Sequence, residues 1–225
     1  MMSRKNAVIS LVMNTVIVLS TIGIIISYFS GNDGQYHIPP SFRFFLFTTD
    51  SNIICMMTAA VMCFFEIRFL KTGKDIPLLA VALKFAGTTA VALTFGVVVL
   101  FLGPSTDFVT MVFGGTSVYM HFAGPIIAFV SFCFLENIHR ISKKMFIPAV
   151  VPTFIYGIVY VIMVVFIGSE NGGWIDFYGF NTGGFWYISF PAINLLSLGL
   201  AAVLRLIHNK NLASAGNLPE GDKDR

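Results

Sequence analysis

The chain has 225 residues, of which 56% are hydrophobic and only 11% charged, with a mean hydropathy of +0.82 and a formal charge of +3. Soluble domains carry roughly a quarter charged residues, so this composition excludes an ordinary water-soluble protein. The basic residues are scattered among short loops instead of forming a patch, which argues against nucleic-acid binding.

Six apolar segments follow in chain order, at about residues 7–29, 44–68, 76–101, 115–136, 146–168 and 185–207, each near the ~20 residues that span a bilayer core. The first is longer than the ~7–15-residue core of a signal peptide and is read as a span. Glycine and proline mark the links: Gly31, Gly34 and Pro39-Pro40, then Gly73, Gly103-Pro104 and Gly172-Gly173. The expected fold is therefore all-α, a polytopic six-helix bundle over residues 1–208. Asn209 to Arg225 is polar and reads as a disordered cytoplasmic tail.

Basic residues set the orientation. Arg4 and Lys5, Arg68, Lys71 and Lys74, Arg140, Lys143 and Lys144, and Arg205 and Lys210 all flank one side of the spans, whereas Arg43 alone lies on the other. Both ends are thus expected in the cytoplasm, in a cell-membrane protein with its lipid-facing aromatics (Tyr36, Trp174, Tyr178, Trp186, Tyr187) at the opposite interface. Cys55, Cys63 and Cys133 fall within apolar segments, so neither a disulfide framework nor a thiolate metal site is expected. No cofactor is implied, because phosphate-loop and zinc-protease motifs are absent.

Polar groups within the bilayer need partners or a role. The densest run is Thr48-Thr49-Asp50-Ser51-Asn52, at the outer end of span two. Thr48, Ser51 and Asn52 share one helical face and Asp50 points elsewhere. The alternative is an interfacial helix start capped by Asp50 or Ser51. His121 lies about two turns into span four, at a depth similar to Thr48, and Pro125 four residues later frees the carbonyl of residue 121 and favours a kink. Lys84 in span three is read as snorkelling or as a structural pairing. Glu66 and Glu136 are read as solvated or paired with nearby basic residues, and Asn14 and Asn194 as inter-helix hydrogen-bond residues.

The segment Phe42-Arg43-Phe44-Phe45-Leu46-Phe47-Thr48-Thr49-Asp50-Ser51-Asn52 resembles a motif of the androgen-induced membrane hydrolase family and its bacterial relatives. Met120-His121-Phe122-Ala123-Gly124-Pro125 is similar to that family's histidine followed by proline. Pro152 with Tyr156, and Trp174 with Tyr178, resemble its later landmarks. Ser131 stands where relatives often have an acid. The resemblance implies a threonine hydrolase acting on fatty-acid esters of hydroxy fatty acids, with Thr48 as nucleophile, His121 as base, and membrane lipid as the source of substrate. Thr49 is the alternative nucleophile. Asp50, Ser51 and Asn52 would support the pair by fixing the imidazole or stabilising the oxyanion. The competing expectation is a non-catalytic membrane protein, a scaffold or transporter that binds lipid or a small solute around the same residues.

Overall fold

The computed structural model describes residues 2–30, 40–105 and 107–214. Six helices are long and apolar enough to cross a membrane: α1 (Arg4–Ser30), α2 (Phe47–Thr72), α3 (Leu78–Leu102), α4 (Val118–Leu135), α5 (Lys143–Ile167) and α6 (Trp186–Ser214). No strand occurs among the described residues. The chain is a multi-pass α-helical membrane protein, and the expected spans agree with the observed ones to within a few residues at most ends. The aromatic anchor Tyr36 and the Gly31–Pro39 link lie outside the described residues.

Exposed Val, Leu, Ile and Phe side chains cover the outside of every span. In water such a surface would aggregate, whereas in lipid it is the matched solvent. α3 is the central helix, with most of its residues buried, and it packs against α2, α4, α5 and α6. Its contact with α2 is close because Gly87 has no side chain: a Cβ there would run into Thr58 Oγ1 and come within 3.1 Å of Cys55 Cα. Small residues at such crossings are the usual means of close helix approach in lipid.

Three of the spans contain wider, π-type turns, one each in α3 and α5 and two in α4. The one at Val118–Ala123 has a sequence cause. Pro125 cannot donate a hydrogen bond, and just before it the Gly124 N–H bonds back to the Tyr119 carbonyl, five residues earlier. The expected local distortion is thus a π-turn, and His121 sits in it.

The start of α1 and the last turns of α6 meet the same end of the bundle. Arg4 donates to the Leu70 carbonyl at 2.8 Å, and Asn209 bonds both the N–H and the carbonyl of Ile141. Residues 209–214, expected to begin a disordered tail, instead complete α6. Leu212 is buried and Asn211 donates to the Cys133 carbonyl, so packing and side-chain bonds hold the last turns despite their polar composition. Residues 215–225 of the expected tail lie outside the described residues.

Candidate functional site

The opposite end of the bundle is closed by aromatic side chains. The α5–α6 link folds back over it: Trp174 N–H bonds to the Met163 carbonyl, and Asp176 accepts from the N–H groups of Phe180 and Asn181 and from the Tyr160 hydroxyl. The ring of Phe45 stacks on Trp174 with centroids 4.9 Å apart, and Tyr160 contacts Phe177, Tyr178 and Phe180. Tyr178 therefore belongs to an internal aromatic cluster and is more than an interface anchor. Its hydroxyl accepts from the Phe47 N–H at 2.9 Å, which satisfies an open donor at the start of α2. Burial raises the Tyr178 phenol to about 12, so it stays un-ionised at neutral pH.

Beneath this cluster lies a cavity of about 390 Å³ between α2, α3, α5 and α6. Its wall is apolar along Leu93, Val97, Ile193 and Leu196. Polar groups enter from Thr48, Tyr156, Tyr160, Tyr178 and Ser189. That volume falls within the roughly 300–1,000 Å³ typical of small-molecule sites, and the lining of apolar walls with a few hydroxyls is their usual chemistry.

The polar run at the start of α2 divides among different neighbours. Thr48 lines the cavity and its hydroxyl lies beside that of Tyr178. Thr49 is buried against Tyr28 of α1 and does not line it. Ser51 Oγ bonds Thr94 Oγ1 of α3 at 2.8 Å. Asp50 also lies off the cavity wall and makes no helix-capping bond; the start of α2 has no side-chain cap. Asn52 Nδ2 donates to the Thr48 carbonyl at 2.8 Å and to the Met120 carbonyl at 3.1 Å. A single amide thus ties the backbone of Thr48 to the residue preceding His121, and α2 and α4 meet at this level.

His121 is oriented from another direction. Its Nδ1 lies 2.7 Å from the Met111 carbonyl. A carbonyl only accepts, so Nδ1 carries the proton and Nε2 of the neutral ring keeps its lone pair. The short helix Phe108–Phe113 that presents Met111 is capped by Asp107, whose side chain accepts from the Val109 and Thr110 N–H groups and the Thr110 hydroxyl. The orienting acceptor is therefore a backbone carbonyl, and neither Asp50 nor Asn52 bonds the ring. No hydrogen bond joins Thr48 to His121 among the described residues, and His121 is not part of the cavity wall.

A second polar constellation occupies the other half of the bundle, at the end bearing the basic loops. Ser10, Asn14, Glu66, Lys84, Ser131 and Glu136 are all fully buried. Lys84 Nζ bonds Asn14 Oδ1 and lies 3.7 Å from Glu136 Oε1. That oxygen also accepts from Ser10 Oγ at 2.9 Å, Asn14 Nδ2 at 2.9 Å and the Ser131 hydroxyl. Asn14 Nδ2 additionally lies 3.3 Å from each oxygen of Glu66. Lys84 is thus paired rather than snorkelling; of the two glutamates read as solvated or paired with nearby basic residues, Glu136 pairs with Lys84 and both are buried rather than solvated. The sequence carried a signal for this, since Glu66 of α2, Lys84 of α3 and Glu136 at the end of α4 all lie toward the basic end, and Ser10 and Asn14 are spaced four apart on one face of α1.

No protein-family model, curated protein or solved structure matches the chain. Its fold and its two polar constellations therefore rest on its own residues and geometry.

Proposed function

We propose that this protein binds a lipid with a single acyl tail in the cavity beneath the aromatic cluster. The observation that carries this reading is the division of the cavity wall, with hydroxyls of Thr48, Tyr156, Tyr160 and Tyr178 set against an apolar wall of α3 and α6. An ester or carboxyl group would meet the Thr48 and Tyr178 hydroxyls, since the Tyr156 and Tyr160 protons go to the Phe45 carbonyl and to Asp176, and the tail would lie along Leu93, Ile193 and Leu196. The basic end of the bundle faces the cytoplasm in this reading, following the distribution of Lys and Arg, which sets the cavity toward the outer leaflet of the cell membrane.

Photo-crosslinking with a diazirine-bearing fatty-acid ester tests the proposal. Labelling should map to the cavity wall and fall about tenfold or more when Leu196→Trp fills the space, a change equivalent to about 1.4 kcal/mol in binding. Undiminished labelling in a folded Leu196→Trp protein would overturn it.

A second reading, hydrolysis of the bound ester, is favoured by the tautomer of His121. Thr48 Oγ would attack the ester carbonyl while Nε2 takes its proton. The collapsing adduct would expel the alkoxide, which leaves as an alcohol carrying that proton. Water would then cleave the acyl-threonine to free acid and restore the hydroxyl. The Asn52 amide supports this reading by holding the two backbones side by side. Thr48→Ala and His121→Ala should each abolish release of fatty acid from a branched fatty-acid ester. Full turnover in either variant would rule out Thr48 and His121 as the catalytic couple, and no turnover in the native protein would leave lipid binding as the activity.

A further inference from the structure

The buried constellation at the basic end holds two carboxyls and one ammonium, and these have unequal partners. Glu136 Oε1 takes three hydrogen-bond donors and lies 3.7 Å from the Lys84 ammonium, which is the environment of an ionised carboxylate. Among the described residues, Glu66 accepts only from Asn14 Nδ2, at 3.3 Å on both oxygens, and forms no ion pair. A fully buried carboxylate served by one long amide bond would be left uncompensated, and such a group takes up a proton instead of keeping its charge. Two carboxyls on one amide nitrogen also repel when both are ionised.

We propose that the Glu66–Glu136 pair is a proton-binding site that holds one proton, resident on Glu66. The surroundings supply what a protonated Glu66 needs. Ser10 donates its own proton to Glu136 Oε1, accepts from Asn14 Nδ2 at 3.3 Å and lies beside Glu66, so one lone pair remains to accept. Glu136 Oε2 is buried without a donor among the described residues, so Glu136 Oε1 carries the contacts of that carboxylate. The other groups facing the site are Lys84 from α3, the Cys55 and Cys63 thiols of α2, the Cys133 thiol of α4, and His208 of α6, a neighbour of Glu136 whose ring nitrogens lie 2.9 Å from the Phe132 and His139 carbonyls; a neutral imidazole has one N–H and donates to one of them. None of these makes an ion pair with Glu66.

Infrared difference spectroscopy on the full-length protein in lipid tests the site, because a protonated carboxyl and a carboxylate absorb separately. The native-minus-Glu66→Gln spectrum should show loss of one protonated-carboxyl band and no carboxylate. Lys84→Met should add a second protonated carboxyl, because Glu136 then loses its cation. Loss of a carboxylate in Glu66→Gln, or a Glu66 signal that changes with sodium, would overturn the proposal and assign the position to a metal cation. Gln has the shape of the neutral acid, so failure of Glu66→Gln to fold would equally count against a proton there. An unchanged carboxyl signal in Lys84→Met would do the same.

Discussion

Replacing Glu136 by Gln in a chain that already carries Glu66→Gln should isolate a cation inside the bundle. Lys84 is fully buried, and its Nζ reaches only Glu136 and the Asn14 amide oxygen. Removing one partner of a buried ion pair costs about 3–5 kcal/mol, because the remaining charge has neither water nor a counter-ion. One kcal/mol shifts the unfolding midpoint of a chain of this size by about 2–4 °C, so the double variant should unfold roughly 6–20 °C below the native protein. Glu66→Gln alone exchanges a neutral acid for a neutral amide and should cost under about 1 kcal/mol. Glu136→Gln alone should fall between the two, since Glu66 hangs on the same Asn14 amide and can ionise to replace the lost counter-ion. The cycle should therefore be non-additive by about 1–3 kcal/mol. Thermal unfolding in detergent, followed by a thiol-reactive dye that reports exposure of buried Cys55 and Cys133, measures each corner. Simple additivity, or a Glu66→Gln loss as large as that of the double variant, would refute the reasoning.

Other residues give equally direct tests. Tyr178→Phe removes the acceptor of the Phe47 N–H and should cost about 1–3 kcal/mol in the same unfolding assay, since a partly buried donor is left open. Gly87→Ala should destabilise the α2–α3 crossing by about 1–3 kcal/mol, with partial recovery when Thr58→Ala removes the hydroxyl that the new methyl meets. Asp107 has its carboxyl held below the usual range, first by the Thr110 hydroxyl and then by backbone N–H groups. Its folded value is thus depressed, so the cap is fully formed above the ordinary carboxylate range and is lost as pH falls through the depressed value. The Met111–His121 bond should loosen with it, visible as a shift of the His121 ring signals in nuclear magnetic resonance on acidification, and Asp107→Asn should remove most of that dependence.

The fold was legible because the bilayer imposes a length and a polarity that few sequences satisfy by accident. Six charge-poor segments of bilayer length read as six helices without any tertiary information. The local distortion at His121 was legible too, since Pro125 removes a backbone donor wherever it stands. Of the candidate site, the outer polar run and His121 were visible as residues that a membrane does not tolerate without a reason. Their directions were not. Thr48 and Thr49 are adjacent and chemically alike, yet the helical rotation between them sends one to the cavity and the other to Tyr28. The acceptor that orients His121 is a backbone carbonyl, and a carbonyl has no residue type to betray it.

The sequence alone determined how many spans form, where they cross the bilayer, and which polar residues the membrane would have to accommodate, because each of these depends on local composition and backbone chemistry. Tertiary structure decided the partnerships. Whether Lys84 reached outward to water or inward to Glu136, and whether Asn52 joined α2 to α4, depended on how the helices rotate and which of them touch. Those rotations are set by packing at places such as Gly87 and Thr58, contacts between residues distant in the chain that no local pattern records.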